Sequence, residues 1–181
     1  MKIIIETERL LIRELLPSDK EGIFHLDSDM DVHEFLGKNP IKTIEEAQNI
    51  IDFVRLQYQE NGIGRWAVLL KENHEFIGWA GLKLVKEEIN GHQNFYDLGY
   101  RFIKSFWQKG YGYEAAKACL DYAFNEMHLK NVYAHAMIGN EGSKRILEKI
   151  GMKNTGTFFH EKDECAWFEI SKEDYKNMEI Q

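Results

Sequence analysis

Apolar residues recur along the chain with two different periods. From Ile44 they follow a helical spacing: Ile44, Ala47, Ile50, Ile51, Val54 and Tyr58 return every three to four residues and stop near Asn61-Gly62. Thr43-Ile-Glu-Glu46 in front of them has the form of a capping box. Strand text follows. Arg65–Leu70, a polar turn KENHE and Phe76–Val85 predict an antiparallel pair. Gly78 and Gly81 weaken its second member and predict a bulge or a close backbone approach there. Beyond a polar loop, residues 95–103 predict another strand. A second helical stripe then runs through Ala115, Ala116, Cys119, Leu120, Ala123, Phe124 and Met127. A short strand over 131–138 precedes a helix opened by Asn140-Glu-Gly-Ser143, which carries Ile146, Leu147 and Ile150 and ends at Gly151. Strands around 156–160 and 165–170 come last, with Ser171-Lys-Glu-Asp174 capping a final turn. At the other end, Thr7–Arg13 predicts the first strand, and Pro17-Ser-Asp19 starts a helix bearing Ile23, Phe24 and Leu26.

The order is strand, helices, three strands, helix, strand, helix, strands. It predicts an α/β (α+β) domain around one mostly antiparallel sheet, with a single βαβ unit. No repeat, linker or low-complexity tract divides the chain, and its 181 residues suit one domain spanning 1–181.

Composition narrows the classes. No apolar run reaches the about 18 residues that a membrane-spanning helix needs. The N-terminus shows neither an uninterrupted apolar stretch nor a small-residue cleavage site, so a cytoplasmic protein without membrane contact is expected. Two cysteines, Cys119 and Cys165, form no framework and read as reduced thiols. The formal net charge of −7 argues against direct nucleic-acid binding and favours a cationic partner such as an amine. Asp27-Ser-Asp29-Met-Asp31 imitates the start of a calcium loop, but Val32 stands where glycine is needed and Lys38 where glutamate is needed. It reads instead as a solvated loop or helix end. The histidines show no HxxxH or HExxH spacing, so no metal is expected.

The most informative stretch is FWQKGYGYEAAKA, residues 106–118. A Gly-x-Gly turn between a strand and a long helix suits an anion. The helix N-terminus offers unpaired N–H groups and a partial positive charge, and glycine lets a phosphate approach. Gly110-Tyr-Gly112-Tyr-Glu-Ala115 formally fits the dinucleotide pattern GxGxxA, but that motif belongs after the first strand of repeated βαβ units. Gly139-Asn-Glu-Gly-Ser-Lys lacks the ending of a Walker A loop. A plain glycine turn is the alternative without function.

The same stretch resembles the acyl-CoA turn of the GNAT N-acetyltransferases, [Q/R]-x-x-G-x-[G/A], with Trp107 in place of the first Gln or Arg. Phe106-Trp-Gln-Lys-Gly-Tyr-Gly-Tyr-Glu-Ala115 is similar to the form found in the branch of the ribosomal-protein-alanine N-acetyltransferases RimJ and RimL. Thr7-Glu-Arg-Leu-Leu-Ile-Arg13, Asp97-Leu-Gly-Tyr100, and Asn140-Glu-Gly-Ser143 with Leu147-Glu-Lys-Ile-Gly151-Met152 agree with that branch in order and spacing. The resemblance spans about Thr7 to Trp167. It implies a sheet splayed between the fourth and fifth strands, here residues 95–103 and 131–138.

It also implies acetyl-CoA as co-substrate. The pyrophosphate would sit on amides of Gln108, Lys109, Gly110, Tyr111, Gly112 and Tyr113. The pantetheine arm would pair with the backbone of Phe102 and Ile103 near Tyr100, with Asn140 holding the arm or ordering its loop. A neutral primary amine, from a protein N-terminus or a small molecule, would attack the thioester directly. Many relatives place a tyrosine seven residues after the asparagine to serve the leaving thiolate. Here that residue is Leu147, and Ser143 is the substitute the resemblance suggests. Capping of a helix is the bland reading of Asn140 and Ser143, and it is compatible with CoA contact. Asp97 is the first candidate for the base and His135 the second; bulk water is the third route for the proton. Family relatives are often homodimers. The competing classes are a non-catalytic acyl-CoA-binding or sensing module, and, more remotely, a nucleotide-dependent oxidoreductase.

Overall fold

Thr43 Oγ1 accepts the Glu46 amide at 3.3 Å while the Glu46 carboxylate accepts the Thr43 amide at 3.2 Å. From this box α2 (Ile44–Asn61) runs to a left-handed Gly62, as its sequence predicts. The computed structural model describes residues 3–180. Before α2 lie β1 (Ile3–Glu6), β2 (Leu10–Glu14), a 3-10 turn (Pro17–Asp19), α1 (Lys20–Asp27) and a second 3-10 turn (Val32–Phe35). After it come β3 (Arg65–Leu70), β4 (Phe76–Val85), β5 (Phe95–Phe102), α3 (Tyr111–Asn125), β6 (Asn131–Met137), α4 (Glu141–Lys149), β7 (Lys153–His160), β8 (Asp163–Ser171) and α5 (Lys172–Glu179). Among the described residues, no helix is long and apolar enough to cross a membrane.

The N-terminus differs from expectation. Thr7–Arg13 is not one strand: the Thr7 amide donates to Leu10 O at 3.0 Å and the Leu10 amide to Thr7 Oγ1 at 2.9 Å. This local hydrogen bonding makes Thr7 a turn residue between β1 and β2. The sheet therefore gains a strand, and the predicted fourth and fifth strands become β5 and β6.

The eight strands of the described residues form one sheet in the order β1-β2-β3-β4-β5-β6-β8-β7. Only β5 and β6, joined through α3, run parallel. β5 pairs with β4 along its whole length, from Val85↔Phe95 to Gly78↔Phe102. With β6 it shares a single register pair, Asp97↔Tyr133. Beyond that pair the two strands part, and the sheet is splayed there.

One face of the sheet, through Trp66, Val68, Ala80, Leu82, Leu98 and Phe102, packs on Ala115, Ala116, Cys119, Leu120 and Phe124 of α3. The other buries Ala67 and Leu69 against Ile23, Ile51 and Val54 of α1 and α2. The β3–β4 ladder skips Ile77 between Val68↔Gly78 and Leu69↔Phe76. A Cβ on Gly78 would stand 2.2 Å from the Arg101 carbonyl oxygen. The bulge and the close approach expected of this glycine-weakened strand thus both occur at its start.

Candidate active site

The turn after β5 is built from two left-handed residues, Gln108 (φ 59°) and Gly110 (φ 83°). Glycine reaches that region freely, and a residue with a Cβ enters it only under constraint. α3 starts at Tyr111 with no side chain capping it, whereas Thr43, Asn140 and Ser171 cap α2, α4 and α5. The amides of its first turn and the positive end of its dipole are left for a ligand. The two glycines have different reasons. Gly110 holds the left-handed turn, while a Cβ on Gly112 would press to 2.9 Å from Ile146 Cδ1 of α4.

The N-terminal Thr7-Glu-Arg9 locks this turn. Glu114 Oε1 accepts Thr7 Oγ1 at 2.6 Å and the Arg9 amide at 2.9 Å, and its other oxygen meets Arg9 Nε at 2.6 Å. Arg9 Nη1 donates to Lys109 O at 3.0 Å, and its guanidinium lies 4.5 Å over the Tyr111 ring. Burial raises the Glu114 pKa, but the hydrogen bonds from Thr7 and Arg9 and the Arg9 charge outweigh it and hold the carboxyl below its usual range.

At the splay, Ile103 N–H donates to Ile77 O at 3.0 Å. Peptide groups alternate along a strand, so those of Tyr100 and Phe102 turn toward β6. This corrects the pantetheine expectation. The Ile103 amide is engaged by β4, and Phe102 O already accepts the Trp107 indole N–H at 2.7 Å. The Tyr100 peptide and the Phe102 N–H are the β5 groups that face the gap.

Its side chain reaches α4. Tyr100 Oη donates to Ser143 O at 2.9 Å and lies 3.2 Å from Ser143 Oγ. Asn140 Oδ1 accepts the Ser143 amide at 3.1 Å, which is the predicted cap. Leu147, where relatives carry tyrosine, is buried core. A phenol thus arrives beside Ser143 from the sheet instead of the helix, and burial pushes its pKa up. In the sequence Tyr100 is legible only as a neighbour of the pantetheine, because nothing in its spacing reports this meeting with α4.

On the opposite face, Arg65↔Gly81↔Gly99 form one lateral row. A Cβ on Gly99 would stand 2.7 Å from Arg65 Nη2, so glycine clears the way for this side chain to cross β4 and reach Asp97. Arg65 and Asp97 form an ion pair with side chains 14% and 9% exposed. Asp97 is therefore not the open base its strand position suggests. Burial raises its pKa, but Arg65 and then His135 outweigh burial, so the carboxylate is held below its ordinary value. His135 Nδ1 lies 3.4 Å from Asp97 Oδ1.

The cleft passes through the splay with a volume of about 460 Å³, and it is lined by Tyr100, Asn140 and Ser143 on the α3–α4 side and by Trp79, Arg101 and His135 on the other. Arg101 pairs with Asp27 at 2.5 Å, and Trp79 sits between Arg65 and Arg101, 5.5 and 5.1 Å from their guanidinium carbons. Asp27 is the end of α1, one of the two readings of this segment, but at 2% exposure it is not solvated: it is the buried partner of Arg101.

A splayed mixed sheet, an uncapped helix start below the splay and a cleft through it define an acyltransferase of the kind the sequence resembles. A sequence profile of the acetyltransferase (GNAT) domain matches residues 9–153. The chain belongs to the GNAT acetyltransferases, whose acyl donor is acetyl-CoA. It is 29% identical over 153 residues to the uncharacterized N-acetyltransferase YoaA of Bacillus subtilis, covering 84% of each chain. A GNAT-family acetyltransferase structure from Bacillus anthracis is 29% identical, with a TM-score of 0.77 over 93% of this chain and 98% of that one. The spermidine N-acetyltransferase of Vibrio cholerae, solved with CoA and spermine, shares the fold at 20% identity and a TM-score of 0.75, over 94% and 100% of the chains.

Proposed function

We propose that the protein transfers the acetyl group of acetyl-CoA to a primary amine by direct attack. The observation that carries this is the gap beyond Asp97↔Tyr133, set between the uncapped start of α3 and the Asn140–Ser143 turn of α4. In this reading the amides of Gln108 through Tyr113 receive the pyrophosphate, where the left-handed turn and helix dipole favour anions. The Tyr100 and Phe102 peptide edge guides the pantetheine arm, and the same edge offers an amide to the developing oxyanion.

Ser143 and Tyr100 serve the leaving group. Their hydroxyls lie 3.2 Å apart, and the raised Tyr100 pKa keeps its proton on oxygen. Ser143 Oγ–H is the donor to the thiolate, and Tyr100, whose own proton goes to Ser143 O, braces the turn that presents it; neither supplies the proton. Asn140 holds the α4 turn that presents Ser143.

The acceptor is a peptide N-terminus or a small-molecule amine. The putative ribosomal N-acetyltransferase YdaF of Bacillus subtilis, 30% identical over 154 residues, supports the N-terminal option. The buried, unpaired Cys119 and Cys165 fit a reducing cytoplasm, and a homodimer is the assembly proposed by analogy with relatives.

Calorimetric titration with acetyl-CoA, CoA and NAD(H), followed by free-thiol release with an alanine-initiated peptide, spermidine and an aminoglycoside, tests the reading. Binding of acetyl-CoA with turnover on one of these amines is expected. Binding of NAD(H) without acetyl-CoA would overturn it. Acetyl-CoA binding without turnover on any amine would favour a sensing module.

A further inference from the structure

An amine attacking a thioester must lose a proton, and the carboxylate nearest the gap is already engaged. We infer that His135 takes this proton at Nε2, with Asp97 and Arg65 as positioning residues that fix the imidazole from behind. The inference rests on the acetyltransferase reading and adds the proton acceptor to it.

Three observations converge. Asp97 and Tyr133 are paired across the only β5–β6 bridge, so Asp97 and His135, two residues beyond Tyr133, share a sheet face. There Asp97 Oδ1 stands 3.4 Å from His135 Nδ1, an electrostatic contact and not an aligned hydrogen bond, while its other oxygen is paired with Arg65. A carboxylate opposite Nδ1 favours the tautomer with the proton on Nδ1, which leaves Nε2 as the acceptor. The ring is braced on its remaining sides: it stacks on Trp167 with 8° between planes and meets Phe158 edge-on with centroids 5.8 Å apart. Finally, His135 lines the cleft, and its side chain is 27% exposed against 9% for Asp97. An amine can therefore reach the imidazole where it cannot reach the carboxylate.

The two faces of the gap divide the work. Tyr100 and Ser143 stand on the α3–α4 side, and Asp97 and His135 on the other. As the nitrogen–carbon bond forms, the nitrogen's proton passes to Nε2. The carbon–sulfur bond breaks with its electron pair on sulfur, beside the two hydroxyls. His135 then releases its proton to water and the thiolate takes one up, so the protons balance. The other charged or titratable groups facing the imidazole are Asp97 from β5 with Arg65 from β3 behind it, His160 from β7 with ring centroids 5.4 Å away, and Tyr133 on β6 itself. Lys83, Glu87, Glu161, Asp163 and Cys165 line the same cleft.

The first test needs no acceptor. Long-range proton–nitrogen correlation spectra of the full chain read the tautomer of neutral His135. The expected signature is a protonated Nδ1 and a bare Nε2, with Asp97→Asn moving the equilibrium toward the other tautomer. The kinetic arm uses thiol release with whichever of the three amines is turned over. His135→Gln lowers kcat by a factor on the order of 100, the usual contribution of a positioned base. Its KM for acetyl-CoA stays within about twofold, because only a transition-state interaction is lost. Added imidazole restores part of the rate of His135→Ala, which a structural histidine would not allow. A wild-type Nε2–H tautomer, or His135→Gln activity within about threefold of wild type, overturns the inference. Failure of acetyl-CoA to bind the wild type would instead overturn the acetyltransferase reading, and the spectra tell the two failures apart.

Discussion

Thr7 and Glu114 stand 107 positions apart in the chain and are joined by a 2.6 Å hydrogen bond. Through it the β1–β2 turn grips the first turn of α3, with Arg9 adding a second hold on the same carboxylate. Glu114→Ala removes the acceptor of three donors. A loss of about 2 kcal/mol in urea unfolding is expected, in the range of a hydrogen bond to a charged group. Acetyl-CoA binding should weaken with it, because the turn at Lys109 loses its anchored arginine. Unchanged affinity in a folded variant would show that the turn holds its shape without the N-terminal clamp.

The two glycines of the turn should respond differently to alanine. Gly110→Ala forces a Cβ into the left-handed region and costs about 1–2 kcal/mol, whatever stands beside it. Gly112→Ala meets Ile146 Cδ1 at 2.9 Å, so the double variant Gly112→Ala/Ile146→Val should recover most of the lost stability. Gly112→Asp should still weaken acetyl-CoA binding through its charge, read by calorimetry against the alanine variant. Equal affinities for the two would place the pyrophosphate away from this residue.

Acid should weaken the fold through Asp97. Its folded pKa lies below the ordinary 3.8, so its pairing with Arg65 stabilises the protein above that value. The contribution fades as pH falls through 3.8 and is gone once the folded carboxyl protonates. Asp97→Asn should flatten this part of the stability–pH curve. Arg65→Met is the harsher change at neutral pH: it strands a buried carboxylate and should cost about 3–5 kcal/mol. Chemical denaturation at pH 7 and pH 3 measures both.

Trp107 occupies the first position of the turn motif and gives its indole N–H to Phe102 O. Trp107→Phe removes that donor and frees the carbonyl for a pantetheine amide. Acetyl-CoA affinity should rise by about 1 kcal/mol, the net worth of one hydrogen bond. Lower affinity would mean that the indole itself packs on the ligand.

Local patterns carried the fold well. The Thr43 box, the αL Gly62 and the Asn140 cap are short-range devices, and each was legible because its partners lie within four residues. The break at Thr7 is not legible, because a polar turn inside an apolar run has the look of strand alternation and differs from it only in its hydrogen bonds. The candidate site was legible only in part, for the same reason of distance. Asp97 and His135 could be named singly, but Arg65 reaches Asp97 across two intervening glycine positions on neighbouring strands. The Tyr100–Ser143 contact likewise joins a strand to a helix 43 residues away. No sequence period reports either meeting.

The Arg65–Asp97 pair also bears on how the site comes into being. It exists only when β3, β4 and β5 are aligned to the residue, because sliding β5 by one position against β4 would carry Asp97 to the α3 face and put Leu98 beside Arg65. A misaligned sheet would therefore have a stranded guanidinium, no carboxylate behind the imidazole and no clear lane over Gly99. The same ion pair that arms the cleft therefore favours one strand alignment over its neighbours, because a slipped sheet leaves its charges without partners.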